Sequence, residues 1–355
     1  MAMEKINWEP EAKIFVFHEE IIGKPKMHTK RLDLHDWIKI DNTYVDQQQL
    51  KKTLLKTERD KIFVTSSNSS TEMCKWEFFQ LIINFLPKRF PDLFEERPGC
   101  IFNKVFKEEV STARHAKEDL LIRISSLTQE DWVILEWSDA SQGYVLTAGV
   151  VFFPMRWSLK AKFNNVLVDI HAPVAQFTKN FTFKAQSLMK SMKSESPIWR
   201  ANWSIFNDLK GPLDLYAPKG HMERNEKNSV TDYVGERTGR ELTFRVEYQT
   251  LRKLPETQCI VFSIRSYQRY LEDFKQFPLF DSEGLLKAIE NLNEDEKDYK
   301  GAIFWSEAAK KYLKNNVINA KHLKTNSLTL KPSMVFSIVA CSLFVAFVLK
   351  RKYFR

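Results

Sequence analysis

Three groups of residues have types and spacing that could carry chemistry. The first is Phe152-Phe153-Pro154-Met155-Arg156-Trp157 followed by Val166 to Val174, where His171 stands at the point an apolar run stops at Pro173. A neutral imidazole among bulky apolar side chains can ligate a metal or a haem iron, with the apolar wall holding the macrocycle. A core histidine bonded to a backbone carbonyl has the same local sequence. The second group is Arg245-Val246-Glu247-Tyr248-Gln249. On a strand, alternate residues share a face, so Arg245, Glu247 and Gln249 form either a polar stripe able to bind an amine or a propionate, or a solvated outer face. The third sets Asp41 to Tyr44 with Arg200 to Trp203, offering Tyr44, Asn202 and Trp203 as pocket walls.

Other chemistry finds no support. The sequence has no P-loop, G-x-G-x-x-G, H-E-x-x-H or G-x-S-x-G. Its seven histidines never fall at i, i+4 or in zinc-finger spacing with cysteine. The four cysteines, Cys74, Cys100, Cys259 and Cys341, are far apart and include no C-x-x-C, so unpaired thiols in a reducing compartment are expected. Net charge is +9, but the basic residues mingle with acidic ones until the C-terminal stretch, which argues against a nucleic-acid partner. The 27 Phe and 9 Trp suit a domain built around a flat apolar ligand, and equally an aromatic-rich core.

The elements that must position these groups follow from periodicity. Leu50, Leu54 and Leu55 at helical spacing predict a helix from Asp46 to about Glu58, and Trp76, Phe79, Ile83 and Leu86 predict another, capped by Thr71, that Pro87 ends. A third runs from Ala113 to about Ser126. The period then changes: Trp132 to Trp137 and Tyr144 to Phe153 flank Asp139-Ala140-Ser141-Gln142-Gly143 as a hairpin. Val166 to Ile170 is a further short apolar run, read as a strand ending at His171. A helix over Val174 to Lys193 and a strand over Arg200 to Phe206 follow, then a long polar loop from Pro218 to Arg240. Leu242 to Leu251 and Gln258 to Tyr267 form a second hairpin, with helices near Tyr267 to Phe274, Ser282 to Leu292 and Asp298 to Leu313. The expected fold class is α+β: an antiparallel sheet with flanking helices.

The C-terminal run Ser333 to Leu349 has 17 residues and no charge, with Lys331 before it and KRKYFR after it. A helix of that length spans about 25 Å, at the short end of what crosses a bilayer. A single transmembrane helix is therefore expected at Ser333–Leu349, reached by a polar tether over 315–332 and closed by a basic tail over 350–355. The N-terminus has acidic residues where a signal peptide needs an apolar run. The expected location is thus a membrane, with the domain facing the cytosol, at the endoplasmic reticulum or a mitochondrial or peroxisomal outer surface.

Taken in order, several short motifs resemble those of the haem-dependent oxidative N-demethylase family, and of its fungal branch. They are Trp37-Ile38 with Asp41 and Tyr44, LPKRFPDLF from Leu86, LTQED from Leu127, FPMRW from Phe153, IHAPV from Ile170, Asn202-Trp203-Ser204, and RVEYQTLRKLP from Arg245. The resemblance implies a PAS-like sheet over about residues 31–314, after an N-terminal extension over 1–30, that cradles haem b. It implies oxidation of a small secondary amine by dioxygen to a primary amine and formaldehyde, with a reductase, flavin-dependent, as electron donor. Carried onto this sequence, it makes His171 the axial iron ligand and Glu247 the partner of the protonated amine. Arg245 would bind a haem propionate or hold Glu247, Gln249 would belong to the cofactor-binding stripe, and Tyr44 and Trp203 would wall the pocket. Tyr248 and Lys253 stand where the family pattern tends to have Arg, and Ala175 where it tends to have Pro. Two other readings stay open: a non-catalytic haem sensor or carrier, and a membrane-anchored scaffold without haem.

Overall fold

The computed structural model describes residues 29–154, 157–172, 179–207, 229–276 and 281–319. The strands are β1 (Lys30–Arg31), β2 (Phe63–Thr65), β3 (Phe94–Arg97), β4 (Cys100–Asn103), β5 (Glu108–Ser111), β6 (Asp131–Ser138), β7 (Gly143–Val150), β8 (Ile198–Phe206), β9 (Thr243–Lys253) and β10 (Ile260–Tyr270). The helices are α1 (Tyr44–Thr57), α2 (Arg59–Ile62), α3 (Ser69–Arg89), α4 (Leu120–Leu127), α5 (Leu159–Lys162), α6 (Leu167–Ile170), α7 (Lys179–Ser191), α8 (Glu236–Glu241), α9 (Ser282–Glu290), α10 (Glu294–Lys300) and α11 (Ser306–Tyr312).

Seven strands form one sheet in the order β1-β8-β9-β10-β6-β7-β2, antiparallel at every pairing the strands make. Both expected hairpins, β6–β7 and β9–β10, are present at its centre. Alternation along the strands divides the core in two. Trp132, Ile134, Phe244, Val246, Val261 and Tyr267 pack on one face with Phe78 and Phe79 of α3, Ile124 of α4 and Trp305. Val133, Leu135, Leu146 and Leu251 pack on the other with Leu159 of α5, Leu167 and Ile170 of α6 and Met189 of α7. The smaller sheet β3-β4-β5 was not anticipated from sequence.

The expected α+β class with an antiparallel sheet and flanking helices stands, but the expected membrane-spanning helix does not. Among the described residues no helix is long and apolar enough to cross a membrane. The 21-residue α3 has the length, yet it carries Glu72, Lys75, Glu77, Lys88 and Arg89. The segment Ser333–Leu349 lies outside the described residues, as do residues 218–228 of the polar loop and Ala175.

Local differences have local causes. Pro87 does not end α3: the helix runs on to Arg89, and the Phe90 N–H still bonds the Leu86 carbonyl at 2.8 Å. The helix expected from Ala113 starts only at Leu120, where the Asp119 carboxylate caps it by accepting the Leu121 N–H. The run ending at His171 is not a strand. Val166 makes one isolated bridge to Val145, and the chain then turns into α6. Residues from Asn315, read as tether, continue from α11 as a π-helical turn over Leu313–Ile318. The thiols are not all unpaired: Cys74 and Cys259 form a disulfide, 185 residues apart in sequence, while Cys100 is free. Sequence spacing could not reveal that pairing.

Candidate functional site

Strand register assembles the polar stripe. Arg200 lies opposite Gln249 and Asn202 opposite Glu247 across β8–β9. Ser266 lies opposite Glu247 and Gln268 opposite Arg245 across β9–β10. These residues share the sheet face that carries Val133, Leu135 and Leu251, so the stripe adjoins an apolar surface rather than open solvent.

Glu247 is the centre of the stripe. Its Oε1 accepts from Arg245 Nε at 3.3 Å. Its Oε2 accepts from Gln249 Nε2 at 2.9 Å and from Asn202 Nδ2 at 3.5 Å. Arg245 is fully buried, and burial lowers its pKa against the pull of Glu247 and Asp131. Its other N–H groups donate to Gln268 Oε1 at 2.9 Å, the Phe153 carbonyl at 2.7 Å and Ser266 Oγ at 2.6 Å. Of the two roles expected for Arg245, this geometry serves the holding of Glu247. Gln249 is likewise directed at Glu247.

His171 follows α6 on the same side of the sheet. Its Nδ1 meets the Leu167 carbonyl at 2.9 Å, and since a carbonyl only accepts, Nδ1 carries the proton. The lone pair is then on Nε2. Burial, with the charges of Lys162 and Arg200 adding to it, pushes the imidazole pKa down to about 4. The ring is therefore neutral at physiological pH, the form that ligates a metal. Lys162 Nζ donates to the carbonyl of Ile170, fixing the residue before the imidazole. The apolar surface beside it consists of Leu167, Ile170, Leu146 and Met189.

Arg200 links the two parts. Its charge acts on His171 and is felt by Glu247. Its Nε is buried with no hydrogen-bond partner among the described residues. A buried, unsatisfied guanidinium N–H is costly and suits an anionic acceptor brought by a ligand. Neutral imidazole, apolar wall and unsatisfied arginine together match the iron, macrocycle and propionates of a haem, so the residues present fit that group.

Two candidates lie elsewhere. Tyr44 is fully buried between α4 and the smaller sheet, where its hydroxyl donates to the Leu127 carbonyl at 3.2 Å and accepts from Asn103 Nδ2 at 2.9 Å. Trp203 points to the opposite sheet face, against Phe244, with Lys300 Nζ 4.5 Å above its ring. Neither is brought to the stripe. Asp41 pairs with Arg265 at 2.6 Å on that opposite face; burial opposes its ionisation, but Arg265 and Thr43 outweigh it and lower the pKa. Sequence reasoning did not single out Ser266, Gln268 or Lys162. The first two were visible as polar residues at alternate positions of an apolar strand. Lys162 left no signal.

The family described as haem-dependent oxidative N-demethylase, alpha subunit-like, has a model that matches residues 28–310. The chain belongs to that family. For this N-demethylase-like chain, the match covers the sheet, the stripe and His171 together. Tyr248, which stands where the family pattern tends to have Arg, faces away from the stripe, its ring tilted against Trp199 with centroids 5.2 Å apart and its hydroxyl donating to the Asp36 carbonyl. Lys253 donates to the Lys190 carbonyl at 2.7 Å, tying β9 to α7. Both departures thus fall outside the carboxylate cluster of this family member.

Proposed function

We propose that this chain is a haem-dependent oxidoreductase that removes a methyl group from a small secondary amine, and that His171 Nε2 would hold the iron of haem b. The observation that carries the reading is the proton assignment at His171. Its Nδ1 is committed to Leu167, and the neutral ring sits on the same sheet face as the Glu247 carboxylate.

Haem, when bound, supplies the dioxygen chemistry that oxidises the amine methyl group. The chain's own residues do the rest. Glu247 binds the protonated amine through a charge-assisted hydrogen bond. Arg245 and Gln249 orient its two oxygens, so the carboxylate need not reorganise when the cation arrives. Arg200 would hold a haem propionate at its unsatisfied Nε. The apolar wall of Leu167, Ile170 and Met189 excludes water from the ring face. A flavin-dependent reductase would supply the electrons.

The reading is tested by following formaldehyde from dimethylamine in haem-loaded protein with oxygen and an electron donor. Amine-dependent formaldehyde is expected. A protein that binds haem yet produces none would be a sensor or carrier instead.

A further inference from the structure

On the sheet face opposite His171, α3 meets the turn between β9 and β10. Cys74 of α3 and Cys259 after the turn are joined there, with Cα atoms 6.3 Å apart. Glu136 of β6 completes the group: one carboxylate oxygen and the two sulfurs all lie within 4.8 Å of one another. Both cysteines are buried and Glu136 is half-buried.

We propose that in the reduced protein Cys74, Cys259 and Glu136 form a site for one zinc-class divalent cation, and that the disulfide form lacks it.

Two features preset this site without relying on the sulfur–sulfur bond. Glu77, one turn along α3 from Cys74, accepts from the Glu256 N–H at 2.7 Å, the Thr257 N–H at 2.8 Å and the Thr257 hydroxyl at 2.6 Å. That clasp keeps helix and turn together after reduction, so the thiols stay adjacent. Glu136 is oriented from behind, since the hydroxyls of Thr71 and Thr147 both donate to its Oε1. Outer contacts of this kind are what fix a carboxylate ligand. Two thiolates and one carboxylate are a donor set for zinc rather than for magnesium or calcium, and a water would give the fourth position.

The chemistry balances. A small-molecule thiol reduces the disulfide, giving two protein thiols and the oxidised reductant. The cation then displaces two thiol protons to solvent, breaking two S–H bonds and forming two metal–sulfur bonds; the metal changes no oxidation state. A sulfur already bonded to sulfur has no thiolate to offer, so oxidation by a peroxide or disulfide expels the ion.

The test uses the full chain, divided into a portion reduced with a phosphine and an oxidised portion. Each is equilibrated with zinc sulfate, gel-filtered and assayed for zinc per chain. One zinc per chain is expected in the reduced protein and none in the oxidised. Cys74→Ser should lose the ion, and Thr147→Val should bind it about tenfold more weakly. Should Cys74→Ser not fold, thiol alkylation of reduced wild type serves instead: zinc should slow modification of Cys74 and Cys259 but not of Cys100. A reduced protein carrying no more zinc than the oxidised one, or unprotected Cys74 and Cys259, would overturn the proposal.

Discussion

Arg245 Nε lies 3.3 Å from Glu247 Oε1, two positions along one face of β9, while the rest of the guanidinium reaches Ser266, Gln268 and the Phe153 carbonyl. One buried cation thus joins the candidate substrate carboxylate to the neighbouring strand and to the chain leaving β7. Because its partners surround it, its removal strands them all.

Arg245→Met should therefore be among the more destabilising single changes in the sheet. Breaking a buried ion pair from one side costs about 3–5 kcal/mol. Thermal unfolding of the variant measures it. A loss below about 1 kcal/mol would show that Glu247 and Gln268 find other partners.

Glu247→Gln keeps the shape and removes the charge. Haem uptake should be unaffected, because Glu247 is not a proposed ligand. Amine-dependent formaldehyde production should fall in kcat/KM by about thirtyfold or more, the value of about 2 kcal/mol for a buried charge-assisted contact. Unchanged turnover would remove Glu247 from the amine site.

Lys162→Met tests how His171 is positioned. The substitution keeps the apolar stem beside Trp157 but deletes the bond to the Ile170 carbonyl. A stability loss of about 1 kcal/mol is expected. The haem absorption spectrum should also shift, a change that a purely structural lysine would not cause. Unfolding and spectra on the same sample separate the two effects.

The buried Asp131 predicts a pH dependence. Its carboxylate accepts the Phe152 and Phe153 N–H groups at 2.9 and 3.0 Å, yet burial outweighs these bonds and Lys51 and raises the pKa to about 6. The folded protein therefore holds this proton more tightly than the unfolded chain, whose carboxyl titrates near 3.8. Stability from this group is fully present below about 3.8 and is lost as pH rises through about 6. Relative to Asp131→Asn, wild type should gain about 2 kcal/mol between pH 6 and pH 4. Denaturant unfolding of both proteins across that range checks it; a pH-independent difference would contradict the shift.

The legible parts of the fold were those written locally. Alternation in β6, β7, β9 and β10 gave both hairpins, and the i, i+2 spacing of Arg245, Glu247 and Gln249 gave the stripe. What sequence could not give was the outcome of distant packing. Tyr44 and Trp203 are aromatic residues near plausible motifs, but their side chains are taken up by Asn103 and Phe244, over 40 residues away in each case. Arg200 gained significance only because β8 pairs with β9 and places it between His171 and Glu247. The Cys74–Cys259 contact depends on α3 crossing the end of a hairpin that follows much later in the chain.

The most direct measurement is the absorption spectrum of the wild-type chain and of His171→Ala after incubation with haem. Wild type should take up haem and show a Soret band of a histidine-ligated iron, and the alanine variant should lose or markedly shift it. A wild-type chain that takes up no haem, or a variant with an unchanged band, would contradict His171 as the axial ligand.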